Sequence, residues 1–185
     1  MPKDQPVAIP ATETELVFKG KVWDVVTEHF NFEGQSLARD FIRHPGAVAV
    51  IALNEQQEVL LIRQYRRPVG SFLWELPAGL LDVAGESLER AALRELAEET
   101  DFQAEHIEHL ITFHTSPGGN SESIAIFLAT QLSPVTTDFV RTGEEVNLQP
   151  TWVPLADALN SVMQSDMKNP AAVIGILALA RKLGV

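Results

Sequence analysis

The chain contains no cysteine, which excludes disulfides, zinc–thiolate sites and thiol chemistry. No apolar run approaches the roughly 18 residues of a membrane helix; AAVIGILALA, near the end, stops at Arg181-Lys182. The opening MPKDQPVAIPATETE has no apolar core behind Lys3 and does not read as a secretory signal. These absences lead to the expectation of a cytoplasmic protein without membrane association. Basic residues are also scarce, 14 against 25 acidic, for a net charge of −11. A field of that sign repels phosphate backbones, so nucleic acid is not an expected partner. An anionic small molecule remains compatible, given a local basic patch or a bound cation.

What is present suits a soluble globular protein: 45% hydrophobic and 21% charged residues in a chain of 185. A chain of that length buries about 70% of its unfolded surface and needs no staple to fold. Residues 1–12 read as a loose lead. From Glu15 to Arg43, short alternating segments around the turn Glu33-Gly34-Gln35 predict a small antiparallel meander. His44-Pro45-Gly46 punctuates it, suggesting an N-terminal β domain over 1–44 and a main domain over 45–185. AVAVIAL (47–53) predicts a strand buried on both faces, and VLLIRQYR (59–66) a second strand forming a hairpin with it. A helix is predicted over Ser87–Thr100, with Ser87 as its N-cap. Strands are expected at Ile107–His114, Ser123–Gln131 and Thr151–Val153, and helices at Pro154–Met163 and Pro170–Lys182. Interleaved strands and helices give an α/β or α+β class with a mixed sheet.

On the Ser87–Thr100 helix each residue advances about 100°. Glu98 and Glu99 then lie about 60° and about 40° to either side of Glu95, so the three carboxylates share one face, while Leu93 and Leu96 point elsewhere. Like charges at these spacings repel, and they sit near the helix C-terminus, where the macrodipole disfavours anions. Such a face is either plain solvated surface or a site for a hard cation such as magnesium or manganese. The helix alone leaves both open.

The wider stretch GLLDVAGESLERAALRELAEETDF, with Gly79, Glu86, Arg94, Glu95, Leu96, Glu98 and Glu99 at fixed spacing, resembles the Nudix box of nucleoside-diphosphate hydrolases. Two positions depart from it: Gly79 and Glu86 enclose six residues, one more than the family's loop, and the family's closing glycine is Asp101. A longer anchored loop costs little, and aspartate is among the side chains that tolerate a left-handed cap. The resemblance implies a Nudix α/β/α sandwich carrying the small N-terminal β domain. It further implies that Glu95 and Glu99 are the principal ligands of Mg2+ or Mn2+, with Glu98 close by and the Ala78 carbonyl completing the set. Arg94 and Glu86 would brace loop and helix. Divalent ions neutralise a pyrophosphate and lower the pKa of the attacking water.

Three features outside the box are similar to the ADP-ribose pyrophosphatase branch. WELPAG (74–79) precedes the box, and RQYRRP (63–68) supplies a phosphate-contacting arginine, assigned to Arg66 with Arg63 and Arg67 as substitutes. In SPGGNSE (116–122), Pro117 stands fifteen residues past Phe102, where ADP-ribose-selective members carry a proline. The resemblance makes this a substrate loop, with Gly118 in it and Glu122 positioned to bond a ribose hydroxyl. The resemblance further implies a base or an additional metal ligand in RTGEEVN, at Glu145, seven residues before Trp152, with Glu144 as the neighbour that could replace it. The N-terminal domain resembles one exchanged between the subunits of a homodimer, and Trp23 or Phe41 would stack on adenine or be buried in that interface. The expected activity is hydrolysis of ADP-ribose to AMP and ribose 5-phosphate. Other nucleoside diphosphate derivatives (a GDP-sugar, flavin adenine dinucleotide, a dinucleoside polyphosphate) and a non-catalytic ADP-ribose sensor are the alternatives.

Overall fold

The computed structural model describes residues 1–141, 143, 146 and 148–185. Two compact units are present: Met1–Pro45 with His114–Glu122, and Gly46–Phe113 with Ser123–Val185. In the first unit, β1 (Ala11–Phe18), β2 (Asp24–Phe32) and β3 (Gln35–Arg43) form an antiparallel sheet in that order. Strand β1 starts inside the segment expected to be a loose lead. The 114–122 segment joins this sheet's end: Ile42 N–H donates to Gly119 O, and Ser121 N–H to Ile42 O, both at 2.9 Å.

In the second unit, β4 (Ala47–Ala52) pairs antiparallel with β7 (Ala78–Leu80) and parallel with β9 (Ser123–Pro134), and β8 (Phe102–His114) flanks β9. This is the mixed sheet. A second sheet runs β10 (Thr151–Pro154), β5 (Glu58–Arg66), β6 (Ser71–Glu75). The expected β4–β5 hairpin is therefore corrected. Only the tip pairs, through a Leu53–Val59 bridge, and beyond it each strand finds partners in a different sheet. Neither β6 nor β7 stands out in sequence, because Pro68, Gly70 and Pro77 interrupt the pattern.

Alternation along β4 distributes its side chains to two cores. Ala47, Ala49 and Ile51 pack with α2 (Leu155–Met163) and α3 (Pro170–Leu183), while Val48, Val50 and Ala52 pack with α1 (Leu88–Thr100). A run apolar on both sides is what a central strand between two helical layers requires. Helix α1 contacts the sheet through Ala91, Ala92 and Leu96; Leu93 is half-buried. Small residues at 91 and 92 let the helix approach closely, which positions the site.

Candidate active site

Helix α1 begins where the Ser87 hydroxyl accepts from Arg90 N–H at 3.3 Å and ends at Asp101, which takes the left-handed conformation (φ 60°) while its N–H bonds Ala97 O. Aspartate thus fills the glycine position of the helix stop. Between these ends lie Arg94, Glu95, Glu98 and Glu99. Arg94 is the hub: Nη2 lies 3.0 Å from Glu86, and Nη1 lies 2.5 Å from Glu95 and 3.3 Å from Glu98. Glu86, through its hydrogen bond first, and Glu95 hold the guanidinium firmly protonated against the burial that opposes its charge. One cation therefore ties the loop residue Glu86 to the acidic helix face.

Glu99 takes another partner. Only 5% exposed, it accepts from Ala78 N–H at 2.8 Å. The reason lies in the β4–β7 ladder. Val50 N–H donates to Pro77 O, and Leu81 N–H to Gly46 O, so Ala78, opposite Ala49, holds a non-hydrogen-bonded position. Its N–H and C=O both face away from β4, which brings the Ala78 carbonyl to the edge that Glu99 occupies. Next along the strand, a Cβ on Gly79 would collide with the Glu95 carboxyl group. Only glycine leaves room for that carboxylate over β7.

Burial holds the Glu95 carboxyl above the usual carboxylate range; Arg94 opposes this, and repulsion from Glu98 and Asp82 adds to it. A folded-state value above the unfolded one means that the fold prefers the protonated form. That contribution is fully present below the unfolded-state pKa and is lost as pH rises through the folded-state value. Glu95→Gln is therefore expected to raise the melting temperature at neutral pH by about 1–3 °C, the gain vanishing on acidification. Thermal unfolding of both proteins across pH 4–8 checks this; a variant less stable at neutral pH would contradict it.

Among the described residues, no group of three or more histidine, aspartate or glutamate side chains is gathered closely enough to hold a metal ion unaided. Arg94 draws Glu95 and Glu98 to itself while Glu99 turns to the Ala78 amide. The donors are nonetheless all hard oxygens, the set that magnesium or manganese takes, and the space that a Cβ on Gly79 would fill admits a carboxylate.

The arginine run is divided by strand alternation. Arg66 shares a face of β5–β6 with Glu75 and is gripped by it, Nε at 2.9 Å and Nη2 at 2.7 Å. Glu75 is buried, so its charge needs this bidentate partner. Arg63 faces the other way, over Phe72 (5.1 Å) and Trp74 (6.0 Å). Among the described residues, Arg67 Nη1 donates to the Tyr65 hydroxyl, at 3.5 Å. The three are not one patch. The Glu75–Arg66 pair was missed in sequence; its signal is the one acid inside the apolar WELPAG.

In the N-terminal unit, Glu122 accepts from Thr115 Oγ1 at 2.8 Å and lies 3.6 Å from His44 Nε2. Pro117 and Gly118 are exposed at the loop tip. Trp23 is exposed in the turn before β2, and Phe41 is half-buried on β3. Glu144 and Glu145 lie outside the described residues.

The chain is similar to known proteins in sequence and in fold. The model of the NUDIX domain matches residues 43–173. The ADP-ribose pyrophosphatase of Mycobacterium tuberculosis is 39% identical over 167 residues, 90% of this chain and 80% of the relative. The ADP-ribose pyrophosphatase of Bacillus subtilis is 35% identical over 169 residues, 91% and 90% of the two chains. A solved structure described as an ADP compounds hydrolase shares the fold, with a TM-score of 0.79 at 23% identity, covering 98% of this chain and 97% of that one.

Proposed function

The chain belongs to the Nudix family, whose hydrolases need divalent metal ions, and from that premise we propose that it hydrolyses ADP-ribose to AMP and ribose 5-phosphate with magnesium. The observation that carries the reading is the meeting of α1 with β7, where Glu95 lies over Gly79 and Glu99 is fixed on the Ala78 amide. Glu95, Glu98, Glu99 and the Ala78 carbonyl would hold the metal. When bound, it neutralises the pyrophosphate and lowers the pKa of the attacking water. The protein's own groups do the rest. Arg94 and Glu86 keep the acidic face in register with its loop. Glu75 fixes the Arg66 fork, pre-orienting it for a phosphate. Glu145 is the proposed base, with Glu144 able to replace it: it takes the proton as the water oxygen bonds phosphorus and the bridging P–O bond breaks.

The substrate is assigned from the two relatives of 35–39% identity, both named ADP-ribose pyrophosphatases. Within the N-terminal unit, Pro117, Gly118 and Glu122 are the proposed substrate loop, and Trp23 or Phe41 the proposed adenine platform. Strand β1 is an edge that exposes Leu16, Val17 and Phe18. Unpaired apolar edges are normally covered, which supports a homodimer.

The test is AMP release with magnesium from ADP-ribose, a GDP-sugar, flavin adenine dinucleotide and a diadenosine polyphosphate. Preferential turnover of ADP-ribose is expected. Preference for another substrate would keep the family chemistry and discard the specificity, and binding of ADP-ribose without turnover would favour a sensor.

A further inference from the structure

The last turn of α1 carries Glu98 and Glu99, contains no basic residue and ends in an aspartate. An acidic C-terminal turn opposes the helix dipole, and the last carbonyls need donors. Both needs are met from more than thirty residues away in sequence. Arg141 donates from Nε to the Glu98 carbonyl at 2.9 Å and from Nη2 to Asp101 Oδ2 at 2.8 Å. Val135 N–H adds a bond to Asp101 O at 2.9 Å. The segment after β9 is thereby docked onto the end of α1, and Arg141 is largely shielded there, its side chain 22% exposed. Its planar fork suits two acceptors at once, which an ammonium cannot span. Asp101 stands where the family motif has glycine, so this chain has a carboxylate handle on its helix stop that a glycine would not offer.

We propose that Arg141 is a positioning residue for the metal-binding face. By clasping the Glu98 carbonyl and the Asp101 carboxylate, it fixes the turn from which Glu98 and Glu99 project. This rests on the reading of those glutamates as metal donors. Arg141 has no role in the chemistry itself.

The test measures Mn2+ binding to the whole protein without substrate, by calorimetry, alongside hydrogen exchange at residues 97–102. Arg141→Ala is expected to weaken Mn2+ binding about tenfold, the scale seen when groups orienting metal ligands are removed, and to speed exchange in that turn. Arg141→Lys should recover part of the loss, and Asp101→Asn should weaken binding less than Arg141→Ala because the bond to the Glu98 carbonyl survives. Lys182→Ala, which breaks the exposed Lys182–Glu108 pair, controls for general loss of surface charge and should bind as wild type does. Wild-type Mn2+ affinity and exchange in Arg141→Ala, with Glu99→Gln binding weakly, would overturn the clasp while keeping the metal reading. Undiminished binding in Glu99→Gln would overturn the metal reading, and the clasp with it.

Discussion

Glu99→Gln is expected to lower turnover of ADP-ribose about a thousandfold while leaving the fold intact. The amide keeps the size of the side chain and an oxygen able to accept from Ala78 N–H, so the buried contact to β7 survives. What disappears is the negative charge. A metal ion supplies several kcal/mol of transition-state stabilisation, and at about 1.4 kcal/mol per decade a loss near 4 kcal/mol gives that factor. AMP release at saturating substrate and magnesium, with thermal unfolding run in parallel, checks both halves. Near-wild-type turnover would remove Glu99 from the metal set. Unchanged turnover combined with a fall in melting temperature would make it a structural residue of the α1–β7 contact.

The second large effect is expected at Gly79. Adding one methyl group places a Cβ on the Glu95 carboxyl group, so either the strand or the carboxylate has to move. Overpacking of this kind costs about 1–3 kcal/mol, and displacing a catalytic group by about an ångström costs about a hundredfold in rate. Gly79→Ala should show both losses. The double variant Gly79→Ala/Glu95→Ala removes the colliding group, so stability should return while activity does not. If the double variant were no more stable than Gly79→Ala alone, the collision would not be the cause.

Much of this was legible in the sequence. The α1 boundaries followed from Ser87 and Asp101 because capping is a local matter, decided by one hydroxyl and one left-handed residue. The shared face of Glu95, Glu98 and Glu99 followed from helical geometry. The Arg94–Glu86 brace came from the family motif, and the structure places the two side chains 3.0 Å apart. Strand pairing was less accessible. The apolar runs around 47–53 and 59–66 are adjacent, and adjacency argues for a hairpin, yet β4 and β5 belong to different sheets.

The same division holds at the site. Sequence by itself determined which residue types are available: a set of hard oxygen donors on one helix, no thiolate to compete, and few cations in an acidic chain. It also determined that 63–67 is rich in arginine, but it did not show that pleat alternation turns Arg63 and Arg66 to opposite faces, leaving Arg66 locked to Glu75. Tertiary structure alone decided that Glu99 would reach the Ala78 amide, that Gly79 would lie beneath Glu95, and that Arg141 would close the end of α1. Local propensities act over a few residues, so caps and helix faces can be read along the chain. Contacts between residues about 16 to 43 positions apart depend on which strands pair and which layers pack, and that is settled only by burial of the whole core.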